Sequence, residues 1–127
     1  MYKRQDPASA AQWAGDFPNS QQKDQAYQSI ANKWAAADPV AASSWLTQLP
    51  NGSSRDTAIT AFIGKVGSND PEGADQWAEA ITDPNTRQSV VTSVLSKWMQ
   101  SDPTDATAAV QKSSLSPEAK AALLPKQ

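Results

Sequence analysis

The chain of 127 residues contains no cysteine and no histidine. Without them it lacks the commonest general base, thiolate chemistry and most ligands for zinc or haem. A chain free of cysteine fits a reducing and an oxidising compartment equally well, so composition does not indicate a location. We therefore expect no catalytic residues, no metal site and no cofactor.

Excess positive charge and long apolar runs are also missing. The formal net charge is −2 and the sequence pI is about 4.9, so no overall positive field attracts a phosphate backbone, and nucleic acid is not an expected partner. No apolar stretch approaches the roughly 20 residues of a membrane span. No charged segment followed by an apolar one marks a signal peptide.

The residues that are abundant favour helices. Nine prolines outnumber five glycines, while alanine, serine, glutamine and aspartate are prominent and β-branched residues are few. This composition is typical of short helices with tight connections and predicts an all-α fold.

One dipeptide recurs with constant spacing. Aspartate is a favoured N-cap, and proline fits the first helical position because its missing N–H costs nothing there. Each copy therefore predicts the start of a helix. The copies recur with a period of 32, at Asp6-Pro7, Asp38-Pro39, Asp70-Pro71 and Asp102-Pro103.

A tryptophan occupies the seventh position after the aspartate in three of the four units, and alanine replaces it in the last. These positions are Trp13, Trp45, Trp77 and Ala109. Apolar residues around each tryptophan follow helical spacing, as in Ala10, Trp13, Ala14 and Phe17, and predict one buried stripe per first helix. Turn-forming clusters follow at Pro18-Asn19, Pro50-Asn51-Gly52 and Asp83-Pro84-Asn85.

A second, longer helix with its own stripe is predicted in each unit. The stripes are Ala26, Tyr27, Ile30, Ala31 and Trp34, then Ala58, Ile59, Phe62, Ile63 and Val66, then Val90, Val91, Val94, Leu95 and Trp98. Because two short helices cannot hide both stripes, the units must stack. We predict a right-handed α-solenoid of antiparallel two-helix repeats with period 32. The units are 6–37, 38–69, 70–101 and a C-terminal capping unit, 102–127.

This period and these helix lengths resemble tetratricopeptide-like and HEAT-like arrays, although the usual tetratricopeptide pattern has its tryptophan earlier and a Gly-Tyr pair. The pattern Asp-Pro, tryptophan, Leu-Pro, seen at Asp38-Pro39, Trp45 and Leu49-Pro50, is similar to that of bacterial α-helical tandem-repeat proteins. Many of those are large and exported. The resemblance implies a fold family and no mechanism.

Residues 1–5, Met1-Tyr2-Lys3-Arg4-Gln5, resemble the translation of a transposase adapter from a sequencing library. We expect them to be a non-native scar on a fragment taken from assembled environmental DNA. The alternative is that Tyr2 ends a preceding helix, since it lies one full repeat period before Trp34.

The remaining side chains have competing interpretations. The repeated tryptophans fit a buried core, with a sugar-stacking ladder as the alternative. Asp75 and Glu79 are expected on a solvated helix face, because glycosidase chemistry needs carboxylates that converge across a cleft. The recurring Lys33, Lys65 and Lys97 are expected to complement the dipoles at helix ends. A second recurring set is expected to pair with acids of a neighbouring unit, with an anion-binding stripe as the alternative. It consists of Lys23, Arg55 and Arg87.

If the first helices line an accessible groove, their polar residues form the candidate binding surface. These are Gln12, Ser44, Thr47, Asp75, Gln76 and Glu79. We therefore expect a non-enzymatic scaffold or protein–protein interaction module with a protein or peptide partner. The alternative is an accessory segment of an exported enzyme or adhesin that binds a glycan or peptide. A periplasmic or extracellular location is favoured over the cytoplasm on the resemblance alone.

Overall fold

The computed structural model describes residues 7–16 and 21–124, with side chains from Ala11 onward, and this part of the chain contains eight α-helices and no strand. The predicted all-α fold is confirmed. The helices are α1 (Pro7–Gly15), α2 (Gln21–Ala37), α3 (Pro39–Gln48), α4 (Ser53–Val66), α5 (Pro71–Glu79), α6 (Pro84–Ser101), α7 (Pro103–Lys112) and α8 (Pro117–Leu123). The predictions for the scar 1–5, Asp6, Phe17 and Pro18-Asn19 lie outside the described residues.

The chain divides into two compact units, an N-terminal unit of residues 1–65 and a C-terminal unit of residues 66–127. In the N-terminal unit α2 packs against both α1 and α3. In the C-terminal unit α6 packs against α5, α7 and α8, and α7 also contacts α8. In each unit, therefore, a long second helix is the element around which the shorter helices pack.

The Asp-Pro dipeptides cap their helices as predicted. The side chain of Asp38 accepts a hydrogen bond from Ala41 N at 3.2 Å, and Asp70 accepts one from Gly73 N at 3.0 Å. Asp102 accepts from Asp105 N at 3.3 Å. Each carboxylate thus satisfies a backbone donor of the first turn that has no partner within the helix.

Two of these aspartates also end the helix before them. Asp38 N donates to Trp34 O at 2.7 Å, and Asp102 N donates to Trp98 O at the same distance. Asp38 lies alone between α2 and α3, as Asp102 does between α6 and α7. One residue, with φ of −157° at Asp38 and −151° at Asp102, therefore forms the whole connection.

The predicted turn clusters behave differently. Asn51-Gly52 separates α3 from α4, and Gly52 has φ +151°, a conformation that a Cβ atom disfavours. The prediction for Asp83-Pro84-Asn85 was wrong, because Pro84 and Asn85 open α6 and Asp83 is its N-cap. Hydrogen bonds from Thr86 N and Oγ1, each 2.8 Å, lower the pKa of Asp83.

The predicted stripes of the second helices form about half of the core that the structure describes. The buried members are Tyr27, Ile30 and Ala31 in α2, Ala58, Ile59, Phe62 and Ile63 in α4, and Val91, Val94, Leu95 and Trp98 in α6. From α3, Trp45 packs against the ring of Tyr27 at a centroid distance of 5.4 Å and against Trp34 at 5.5 Å. The N-terminal unit therefore has an aromatic centre.

The tryptophans are not buried alike. Trp45 is 8% exposed, Trp77 is partly exposed, and Trp13 is 56% exposed. The prediction that all three lie in the core was therefore wrong for Trp13. Because α1 packs chiefly against α2, the small Ala11 and Ala14 fill that contact and the bulky indole remains at its edge.

The ends of the helices correct a further expectation. Only Lys65 of the three repeated lysines lies in the last turn of its helix, since α2 and α6 continue past Lys33 and Lys97. The short α8 buries none of its residues. Within the described part of the chain, no helix has the length and apolar character needed to cross a bilayer.

Replacing Asp38 with alanine is expected to destabilise the protein by about 1 kcal/mol, because it removes the bond to Ala41 N while the orphan donor remains. Asp38→Asn keeps an acceptor oxygen and should recover most of that loss. Urea unfolding of both variants measures the difference. Equal stability of the alanine and asparagine variants would show that the cap does not contribute.

Trp45→Ala is expected to cost about 3 to 5 kcal/mol, because it opens a cavity between Tyr27 and Trp34. Trp13→Ala should cost less than about 1 kcal/mol, since much of that indole already meets solvent. Thermal unfolding of the pair makes the comparison. A larger loss for Trp13→Ala than for Trp45→Ala would contradict this account of the core.

Candidate functional site

A pocket of about 490 Å³ lies between α5 and α7 in the C-terminal unit, with one residue of α6 at its base. The residues around it are mostly acidic or small, with one tryptophan, one glutamine and one lysine. They are Glu72, Asp75, Gln76 and Glu79 from α5, Trp98 from α6, and Asp105, Ala108, Ala109, Lys112 and Ser113 from α7 and its end. We call this space the α5–α7 groove.

Helical spacing explains why α5 contributes four residues. Ala74 and Ala78 are buried and form the side of α5 that packs inward. Asp75 and Glu79 are one turn apart beside that stripe, so they face the groove together. The N-cap at Asp70 fixes where the helix begins and therefore the direction in which these carboxylates point.

The groove carries an excess of negative charge. It contains four acids, Glu72, Asp75, Glu79 and Asp105, against the single cation Lys112, a formal difference of three charges. One acid has a structural task, because Glu79 Oε2 accepts a hydrogen bond from Ser114 N at 3.1 Å, just beyond the end of α7. That bond ties the end of α7 to α5 and holds the two walls of the groove together.

Asp75 is the most perturbed acid of the groove. Its Oδ1 is fully buried and accepts no hydrogen bond from the residues that the structure describes. Burial, assisted by the nearby charge of Glu79, raises its pKa from 3.8 to about 6. The expectation that Asp75 and Glu79 lie on a solvated helix face was therefore wrong. Both side chains are partly buried.

The structure brings together half of the predicted groove residues. Asp75, Gln76 and Glu79 line the α5–α7 groove. Gln12, Ser44 and Thr47 are exposed residues of the N-terminal unit, and Thr47 Oγ1 donates to Ser44 O at 2.7 Å within α3. That local bond satisfies the hydroxyl and gives it no orientation toward a ligand.

Sequence reasoning missed the opposite wall and the base of the groove. Asp105 and Lys112 on α7 were not singled out, and Trp98 was assigned only to the core. The available signal was Ala109, because it marks the one unit in which alanine replaces the repeated tryptophan. The loss of an indole side chain at a packing position predicts unfilled space beside that position.

A smaller pocket of about 280 Å³ in the N-terminal unit lies at the start of α4, beside Lys23, Tyr27 and residues 50–55. Cations and a helix N-terminus are suited to an anion. A carboxylate already lies there, however, because Asp24 Oδ1 accepts from Ser53 Oγ at 3.1 Å and from Ser54 Oγ at 2.7 Å. The Lys23 ammonium lies 5.6 Å from the Tyr27 ring centroid, and burial raises the pKa of Tyr27.

Neither pocket has the composition of a metal centre. Among the residues that the structure describes, no group of three or more acidic side chains is arranged to hold a metal ion. The acids of the α5–α7 groove are spread along two helices, which suits an extended cationic ligand better than a single compact ion.

Asp75→Asn is expected to raise the free energy of unfolding at neutral pH by about 1 kcal/mol, after allowing for the solvent that reaches part of the carboxyl. The native pKa lies above the unfolded value. The contribution of this group to stability is thus complete below pH 3.8 and is lost as the pH rises through about 6. Urea unfolding from pH 4 to pH 8 should show the free energy of unfolding of Asp75→Asn increasing relative to that of the parent across that window. The exposed Glu118→Gln is the control, and an Asp75→Asn difference independent of pH would contradict the assignment.

Comparisons with models of protein families, with curated proteins and with solved structures gave no match for this chain. The inference about function therefore depends on the molecule itself. The two features that support a function are the acidic α5–α7 groove and the space at Ala109.

Proposed function

We propose that the chain is a non-enzymatic protein-interaction module that holds a basic segment of a partner protein in the α5–α7 groove. The observation that supports this most directly is the groove itself, about 490 Å³ with four acids and one lysine. Its negative charge attracts cationic side chains, and its alanine-lined wall leaves room for them between the helices.

We further propose that the helices belong to a right-handed α-solenoid of two-helix repeats with period 32, of tetratricopeptide-like or HEAT-like type. The starts of α3, α5 and α7 at Pro39, Pro71 and Pro103 support this, since they are separated by that same period. So does the position of the α5–α7 groove between two consecutive first helices. Arrays of this kind bind extended segments without a reactive centre. We also propose that the chain is similar to bacterial α-helical tandem-repeat proteins, on the basis of the same spacing.

Interaction accounts for the groove better than catalysis does. The raised pKa of Asp75 is a property shared with general acids, yet acid–base chemistry on a glycoside requires a second carboxylate held at a fixed distance across the substrate. Glu79 is on the same helix as Asp75 and is engaged with Ser114 N. The acids are better placed to meet several donors of one ligand.

A sugar-stacking function for the tryptophans has little support. Such a ladder needs the indoles of Trp13, Trp45 and Trp77 together at the surface. Trp45 is 8% exposed and enclosed by Tyr27 and Trp34. A glycan therefore has no continuous aromatic platform in this series.

The proposal is tested by selecting binders from a random peptide display library and measuring how they bind to two charge-reversal variants. Glu72 and Glu118 are both exposed, and each follows the proline that opens its helix, but only Glu72 borders the groove. Glu72→Lys is expected to weaken selected peptides by roughly tenfold, and Glu118→Lys by less than about twofold. The selected peptides should carry arginine or lysine and bind less tightly as salt increases.

Two results would contradict the proposal. Selected peptides could lose affinity equally with both variants, which would show only a general response to net charge. Alternatively, they could bind both variants as well as the parent, which would place the binding surface away from the groove.

A further inference from the structure

The fourth unit differs from the others at the position that shapes the groove. Counting one repeat period at a time from Trp13 leads to Trp45, then Trp77, then Ala109. The change from tryptophan to alanine removes an entire indole ring. Ala109 is one of the residues that line the α5–α7 groove, so the space lies where the repeat elsewhere places its aromatic side chain.

The N-terminal unit shows what the ring does where it is present. Trp45 lies against Trp34 at a centroid distance of 5.5 Å. Two repeat periods later, the equivalent of Trp45 is Ala109 and the equivalent of Trp34 is Trp98. Trp98 therefore has no aromatic partner at the equivalent position, and it borders the groove beside Ala109.

The polar wall of this space constrains what can enter it. Asp75 lines the same groove as Ala109, and its buried Oδ1 accepts no hydrogen bond from any described residue. Glu72, Glu79 and Asp105 add negative charge around it. An indole from a partner would fill the volume but would leave these oxygens with a single donor among them. A ligand that combines an apolar stem with a cationic, multi-donor head satisfies both the alanine wall and the acids.

We propose that the groove binds one arginine side chain of the protein partner, with its methylene stem against Trp98, Ala108 and Ala109 and its guanidinium donating to Asp75. This inference rests on the proposed function, because it assumes a protein partner. Arginine fits better than lysine since its planar head offers five donors and loses its hydration more readily, and a guanidinium beside an indole gains a cation–π contribution.

The test uses the full chain and four fixed probes, so it does not depend on the library selection. These are short, otherwise neutral peptides that are identical except for one central residue, which is arginine, lysine, citrulline or tryptophan. Binding is followed by chemical-shift changes of the Trp98 indole N–H and the Ala109 methyl, with the indole signal assigned through Trp98→Phe. Citrulline keeps the shape of arginine and removes its charge.

Three variants locate the site. Ala109→Trp restores the ring that the repeat carries elsewhere, so it should occupy the space and weaken the arginine peptide by roughly tenfold or more without lowering the melting temperature. Asp75→Asn is a smaller substitution that tests the site without filling the space. It should weaken binding of the arginine peptide several-fold. Glu118→Gln removes one exposed acid outside the groove and should leave the affinity unchanged.

The expected result is that only the arginine peptide shifts the Trp98 and Ala109 signals strongly, and that this response is lost in Ala109→Trp and reduced in Asp75→Asn. Equal binding of the lysine, citrulline or tryptophan peptide would overturn the assignment of arginine, as would equal losses in Asp75→Asn and Glu118→Gln. If library-selected peptides depend on Glu72 but bind Ala109→Trp normally, the arginine site is rejected while the interaction function stands. If no selected peptide depends on Glu72, the proposed function itself fails.

Discussion

The short first helices depend on support from outside themselves. Helices α1, α3, α5 and α7 contain nine or ten residues, which is below the roughly 12 to 15 residues at which an isolated helix becomes even marginally stable in water. An aspartate supplies the missing hydrogen bond at the start of α3, α5 and α7, and a stripe of small and apolar side chains anchors the helix to its longer neighbour. This support comes mainly from one face of each short helix, so the opposite face can present side chains for binding.

This division explains which features could be predicted from the sequence. The caps at Asp38 and Asp70 depend on three or four adjacent residues, and the stripe of α6 depends on helical period alone, so both were predicted correctly. The exposure of Trp13 and the burial of Asp75 depend on which other helices happen to cover them. A helical period predicts which residues share a face, but the extent to which that face is covered is a property of the packed molecule.

The α5–α7 groove combines both kinds of feature. The same periodicity that buries Ala74 and Ala78 directs Asp75 and Glu79 into the groove, and the bond from Ser114 N to Glu79 Oε2 braces its two walls. Its unfilled space depends instead on a departure from the repeat, the alanine at position 109. One substitution at this packing position is sufficient to distinguish the fourth unit from its neighbours and to leave space beside α7.

The single-residue joints at Asp38 and Asp102 limit how such a chain can vary in length. Each joint closes one helix through its backbone N–H and opens the next through its carboxylate, so an inserted or deleted residue there would break both bonds and rotate everything that follows by about 100°. In the connection between α3 and α4, no single residue forms both of these bonds. A change in chain length is therefore better tolerated between α3 and α4 than at the joints formed by Asp38 and Asp102.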